Sequence, residues 1–483
     1  MSLCFSQPAV LNSISPDALK GDLSFLASDA LQGRYSPSPG LEIAADFIAS
    51  QFAAAGLVPG GNEGYFQTAA MVDRHLPKLQ TGMSVQDRSQ KFTVQADSIT
   101  VLNVNRAAQI ENAPAIVFAS RDPALLKGVD LAGKAVVVTQ MTRAFEKARE
   151  FDKAIGSSHA AIEILVVNRR FGQGNTRLLP ADSAESARPP VILVTSDQLK
   201  NWTEHPAQTR TISVEIPAPQ DQRVTLKNVI GILPGSDPKL KDTCVLLTAH
   251  YDHIGTTETA KGMAEHRSQS TTDHIYNGAN DDGSGTVSVI EIARALAKLN
   301  PHPKRSIVFM TFFGEERGEL GSAYYGKHPI FPIAKTVADV NLEQVGRTDS
   351  TVGSNVNTAS LTGFDYSDVT KFFEDAGRET GIKVYKDPEA SDAYFTRSDN
   401  DALAQQGVPA HSLTVAFDYP DYHGLGDEWQ KIDYDNMARV DKMIALGLLN
   451  IANSLEAPRW NAANPKTLPF RNAQQGTKPA GST

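Results

Sequence analysis

Five short phrases gather histidines and acids able to act together. Four lie between residues 250 and 347: His250-Tyr251-Asp252, Asn280-Asp281-Asp282, Glu315-Glu316 and Asn341-Leu342-Glu343. The fifth, Tyr422-His423, comes later. Only two cysteines occur, Cys4 and Cys244, so there is neither a disulfide framework nor a thiolate metal site. Any bound cation must therefore be held by imidazole and carboxylate, which zinc accepts. An acidic metal-held water beside a carboxylate base is a standard route to hydroxide at neutral pH. The five phrases together read as the ligand set of a two-metal hydrolase.

Each phrase has a plainer explanation, and most are weakened by their neighbours. A single histidine after a strand is usually packed or surface-exposed. His250, however, is followed two positions later by Asp252, whose carboxylate is placed to accept the second imidazole N–H and set the tautomer. The loop Asn277-Gly278-Ala279-Asn280-Asp281-Asp282-Gly283-Ser284-Gly285 opens a helix, and a helix N-terminus favours one acid. Two adjacent acids flanked by glycines suit a carboxylate shared by two cations. Glu315 and Glu316 follow an apolar run and Gly314. Neighbouring side chains diverge, so one can ligate while the other faces the substrate water.

The elements that carry these phrases alternate. Continuous apolar runs at residues 245–248, 307–312, 337–342 and 410–415 read as buried strands. Between them the clearest helix is residues 286–299, with Val287, Ile290, Ile292, Ala293, Leu296 and Leu299 at helical spacing before Asn300-Pro301. This rhythm predicts an α/β fold, a three-layer sandwich around a mostly parallel central sheet. The carboxyl ends of such strands converge on one cleft, and the phrases sit at those ends. Two further helices are expected within residues 17–56, separated by the loop Gly33-Arg34-Tyr35-Ser36-Pro37.

From about residue 70 the texture changes. Short strands at 99–104, 115–118, 135–138, 162–167, 191–194 and 212–216 surround one charged helix at 143–154, without a constellation suited to catalysis. The expected organisation is a discontinuous catalytic domain (12–70 and 218–457), a β-rich insert (71–217) and a flexible C-terminal tail (458–483) after a last helix at 435–455.

With 483 residues, 41% of them hydrophobic, the chain is long enough for two domains. Its formal net charge of -9, with no basic run, argues against nucleic acid as a partner. No window approaches the roughly 18 consecutive apolar residues of a transmembrane segment. The composition suits an exported protein, periplasmic, secreted or lipid-anchored through Cys4, although the first residues carry no signal-peptide pattern.

The phrases Thr248-Ala249-His250-Tyr251-Asp252, Gly278-Ala279-Asn280-Asp281-Asp282-Gly283-Ser284-Gly285, Phe313-Gly314-Glu315-Glu316 and Asn341-Leu342-Glu343-Gln344-Val345-Gly346-Arg347, with Asp421-Tyr422-His423 and Asp427, closely resemble the M28 family of zinc metallopeptidases in content, order and separation. The resemblance implies the zinc-dependent exopeptidase fold, two zinc ions and a peptide or dipeptide substrate. It implies that His250 and Glu343 hold one zinc, Glu316 and His423 the other, and that Asp281 bridges them through a cis peptide to Asp282. Glu315 would be the general base on a zinc-bridging water, and Asp252 would orient His250.

Two departures stand out. The family usually has Asp where Glu343 stands, and His where Arg397-Ser398-Asp399-Asn400 ends in Asn400. The insert resembles a protease-associated domain through Asp130-Leu131-Ala132-Gly133-Lys134-Ala135-Val136-Val137-Val138, residues 160–167 and Pro190-Val191-Ile192-Leu193, implying a lid or gate. Aminopeptidase is the expected activity. Carboxypeptidases, dipeptidases, a one-zinc glutaminyl cyclase and inactive binding ectodomains use the same scaffold; the intact second ligand set weighs against the last two. Arg347, Arg397, Tyr394 and Phe395 are candidates to line the substrate pocket or to serve packing alone.

Overall fold

A computed structural model describes residues 10–140, 145–168, 176–182, 188–205, 209–260, 263–264, 272–350 and 353–477; Cys4 lies outside them. The chain divides into two compact units, Met1–Ala69 with Thr225–Thr483, and Ala70–Val224. Among the described residues no helix is long and apolar enough to cross a membrane.

The first unit is built on a mixed sheet whose strands are β1 (Gln220–Leu233), β2 (Cys244–His250), β3 (Ser306–Phe312), β4 (Thr336–Leu342), β5 (Thr358–Leu361), β6 (Lys383–Tyr385) and β7 (Ala410–Thr414). They lie in the order β6-β5-β7-β4-β2-β3-β1. The inner strands β7, β4, β2 and β3 run parallel, while β5 and β1 flank them antiparallel. Every residue of β2 and β3 is buried. Strands apolar on both faces require cover on both faces. On one side Leu246, Val308, Met310 and Phe312 pack with Tyr325 of α4 (Leu320–Lys327) and with Leu403 and Ala404 of α6 (Asn400–Ala404). The other side is covered by α3 (Gly285–Leu296) and α7 (Tyr434–Asn453), with α1 (Pro16–Leu26) against both and α5 (Val369–Thr380) against α7. This is the three-layer α/β arrangement expected, with antiparallel edges added.

Helix starts follow local chemistry. The Ser15 hydroxyl accepts the Ala18 N–H at 3.1 Å and Pro16 opens α1; Ser38 does the same for Leu41 in α2 (Pro39–Ala54), and Asp433 for Asn436 in α7. The helix expected to run to Leu299 stops at Leu296. The segment beyond Pro458 is not a free tail as far as it is described. Trp460 and Phe470, 5% and 6% exposed, stack at 5.0 Å beside Phe395, and the Trp460 indole donates to the Gly407 carbonyl at 2.9 Å. Two aromatics within polar sequence are enough to dock it, through α8 (Leu468–Thr477).

The second unit carries all six strands expected of it, in a sheet ordered Lys91–Val94, Met83–Gln86, Thr211–Ile216, Ala108–Phe118, Ala135–Val138, Ile162–Val166, Val191–Val194, Ile99–Asn103. From Ala108–Phe118 to Val191–Val194 the neighbours run parallel. Helices Phe145–Gly156 and Asp197–Glu204 accompany the sheet, so this unit is mixed α/β.

One buried group in β7 links the fold to pH. His411 is fully buried, donating from Nδ1 to the Thr362 carbonyl at 2.7 Å and accepting the Ser367 hydroxyl at Nε2 at 2.6 Å. Burial pushes its pKa from 6.5 down to about 4. As pH falls the unfolded chain therefore binds this proton first. The contribution is intact above pH 6.5 and is lost toward pH 4, a cost of about 3 kcal/mol. His411→Gln should flatten that part of a urea-unfolding stability profile against pH. A profile as steep as that of the parent protein would refute the assignment.

Candidate metal centre

The parallel strands deliver the five phrases to one edge. His250 ends β2 and Glu343 follows β4 directly. Glu315 and Glu316 come after β3 and Gly314, whose φ of 68° lies in the left-handed region open to glycine. His423 lies on the segment after β7. Asp281 sits between β2 and α3 in the irregular turn Ala279–Ser284, and the Asp281–Asp282 peptide is cis. This is the carboxyl edge of the parallel strands, where α/β sheets place their clefts.

The separations are short. Asp281 Oδ1 lies 3.3 Å from His250 Nε2, and its Oδ2 lies 3.2 Å from His423 Nε2. Glu343 Oε1 is 3.7 Å from His250 Nε2, and Glu316 Oε1 is 3.2 Å from His423 Nε2. Glu315 Oε2 is 3.8 Å from His250 Nε2. The His423 Nδ1–H donates to the Met263 carbonyl at 2.9 Å, which leaves Nε2 directed at the acids.

His253, outside the sequence reading, and Asp282, read there only as the neighbour of Asp281, join this cluster. Ligand atoms of His250, Asp282 and Glu343 fall within 4.8 Å of one another, as do those of His253, Asp281 and Glu316. His253 is fully buried, with Nδ1 2.8 Å from Glu316 Oε1. Its signal was a second imidazole one residue after Asp252. Asp282 is partly a backbone clamp, its Oδ1 accepting the Gly285 and Gln344 N–H groups at 3.1 Å each.

The donor set fits a cation. Glu316 Oε1, Asp282 Oδ2 and both His253 ring nitrogens are buried without an aligned hydrogen bond. Such atoms cost about 1–3 kcal/mol each when left unsatisfied, and nitrogen and oxygen donors converging in this number suit zinc. Burial pushes the Glu315 carboxyl well above the usual carboxylate range, and Glu343 and Glu316 add to this against His250. Burial would also raise Glu316, but His423 and His253 outweigh it and hold Glu316 at about 2. Burial opposes the charged form of His423, yet Glu316 and Asp281 raise it to about 12. These opposed shifts mark a site whose charges are organised around one another.

A second layer of contacts holds these groups. Arg34, read only as part of a loop, is fully buried and donates to the carbonyls of Tyr251 (2.8 Å), Leu26 (2.6 Å), Asn277 (2.7 Å) and Gly278 (2.9 Å). It thereby ties the end of β2 to the start of the Asp281 loop. Asp427 accepts the main-chain N–H groups of Asn280 and Asp281 and the Tyr419 hydroxyl. Asp252 meets His250 mainly through its main-chain carbonyl, 3.2 Å from Nδ1, whereas its carboxylate is 3.7 Å away. That carboxylate instead accepts the Glu315 N–H and the Ser36 hydroxyl, both at 3.1 Å. The carboxylate thus reaches both His250 and the chain that carries Glu315.

Glu343 and Asn400 are joined by a hydrogen-bond chain. Ser398 donates to Glu343 Oε1, and Asn341 Nδ2 donates to Ser398 at 2.8 Å and to Ser412 at 3.1 Å. Ser412 in turn donates to Asn400 Oδ1 at 2.8 Å. Asn400 is therefore a remote support of Glu343.

A cavity of about 380 Å³ opens on His250, Glu315, Glu343 and His423 and is also lined by Tyr394, Arg397 and Phe417. Arg347 and Phe395 do not line it. Arg347 is buried and pairs with Asp349 at 2.5 Å and Asp421 at 3.0 Å, and Phe395 lies in the core beside Tyr366.

The sequence profile of peptidase family M28 matches residues 228–447. That stretch belongs to peptidase family M28. The M28 domain contains every residue from His250 to His423 described above. The fold is similar to that of an aminopeptidase from Aneurinibacillus sp. strain AM-1, with a TM-score of 0.61 and 18% identity, covering 94% of this chain and 100% of that one. Among curated proteins, the chain is similar to a vacuolar membrane protease of Pyricularia oryzae, 36% identical over 102 residues, which is 21% of this chain and 8% of that one. It is also similar to aminopeptidase YwaD of Bacillus subtilis (strain 168), 29% identical over 203 residues, or 36% and 40% of the two chains. The chain spans less than half the length of either curated relative.

Proposed function

We propose that this chain is a zinc peptidase that holds two zinc ions and releases N-terminal residues from peptides. Asp281 carries the reading: its two carboxylate oxygens face different imidazoles, His250 at 3.3 Å and His423 at 3.2 Å, the layout of a bridging ligand. His250 and Glu343 complete one set of donors, and Glu316 and His423 the other. Zinc in such a set supplies Lewis acidity and lowers the pKa of water to about 7.

Glu315 stands outside both three-residue groups, close enough to His250 to face the same space. Its carboxylate takes the proton of the attacking water and returns it to the leaving amine. Asp252 fixes the backbone of Glu315, and Arg34 and Asp427 hold the loop of Asp281. The aminopeptidase names of the Aneurinibacillus and Bacillus proteins favour the amino end of the substrate. Residues 70–224 enter this reading as an accessory, protease-associated-like unit.

Zinc analysis should find two ions per chain. Chelation should abolish hydrolysis of free-amine aminoacyl p-nitroanilides, zinc should restore it, and N-blocked dipeptides should resist. Hydrolysis indifferent to chelation, or preference for N-blocked substrates, would overturn the reading.

A further inference from the structure

We infer that Arg397 binds a substrate carboxylate in the cleft, so that the favoured substrates are short peptides carrying a carboxylate on the residue after the scissile bond, dipeptides above all. This rests on the peptidase reading and adds the substrate class to it.

Arg397 lines the same cavity of about 380 Å³ as His250, Glu315, Glu343 and His423, and no other Lys or Arg among the described residues does so. Its guanidinium lies over the Tyr394 ring, 4.5 Å from the centroid, and Tyr394 leans on Phe417 at 5.4 Å. Stacking of this kind orients a planar cation without cancelling its charge. The chain around it is also set. The Arg397 N–H donates to the Tyr394 carbonyl at 3.2 Å, and the next residue, Ser398, donates to Glu343.

Arg397 is exposed, and water rather than a protein carboxylate meets its charge. Among the described residues it forms no ion pair, in contrast to Arg347, which has Asp349 and Asp421. Asp418, on the same wall, is engaged by another partner. The remaining acids of the wall, Asp281, Glu315 and Glu343, belong to the metal cluster. A guanidinium fork matches a carboxylate in two parallel hydrogen bonds, and a preformed, oriented fork selects for that group. The cavity is at the small end of the range for small-molecule sites, which suits a dipeptide better than a long chain.

The test compares kcat/KM of the zinc-loaded protein and of Arg397→Gln on Ala-Ala and Ala-Ala-amide, and on Ala-Glu-amide and Ala-Gln-amide. The parent protein should favour the carboxylate member of at least one pair by about tenfold to a hundredfold, mostly in KM. Arg397→Gln should bring that ratio to about one, and Arg397→Lys should restore part of it. Preference within the first pair identifies the main-chain carboxylate as the ligand; preference within the second identifies the side chain. No carboxylate preference, or one that survives Arg397→Gln, overturns the inference. Failure of the zinc-loaded parent protein on all four substrates and on aminoacyl p-nitroanilides overturns the peptidase reading instead.

Discussion

Glu315→Gln is expected to lower kcat by about a hundredfold to ten-thousandfold, the range a positioned general base contributes, while zinc content stays at its parental value. The separation of the two readouts follows from geometry. Glu315 belongs to neither group of three converging donors, yet its Oε2 is 3.8 Å from His250 Nε2 and its main chain is pinned by Asp252 at 3.1 Å. Glutamine keeps the shape of the side chain and removes its capacity to accept a proton. Burial, reinforced by Glu343 and Glu316, drives the Glu315 carboxyl upward against His250. Steady-state kinetics and metal analysis on one preparation decide the matter. A variant with near-parental kcat would remove Glu315 as the base, and one that loses zinc would make it a ligand.

His423→Ala is expected to leave about one zinc per chain, with an affinity loss at the emptied position beyond the about 10–100-fold typical of a second-layer contact. His423 Nε2 reaches Asp281 and Glu316 at 3.2 Å each, and the Met263 carbonyl holds its opposite nitrogen. His253 is the rival, since its Nδ1 lies 2.8 Å from Glu316. The two are told apart by number of contacts, because His423 meets both acids and His253 pairs with one. His253→Ala should therefore retain two ions in equilibrium dialysis. The reverse pattern would transfer the ligand role to His253.

How much of this was open to reading from the residues varies by element. The alternation of β2, α3, β3 and β4 was legible because a strand covered on both faces must be apolar throughout, a local property. His250, Glu315, Glu316 and Glu343 could be placed at one cleft because each lies at or just beyond the end of such a strand, and parallel strands share one carboxyl edge. The C-terminal segment was misread because its average composition is polar, while docking depends on Trp460 and Phe470 finding Phe395.

By itself, then, the sequence determined the α/β class and the residue types that meet at the cleft, because these follow from short-range periodicity and contiguous phrases. Only the tertiary structure decided which groups hold them. Arg34 bonds the carbonyl of Asn277, 243 positions away, and Asn280 takes its partner Asp427 from 147 positions away. His253 likewise gains its place only when Glu316, on the chain after β3, is brought against it. A buried donor or acceptor is satisfied by whatever the folded chain brings within reach, and no local pattern encodes that partner.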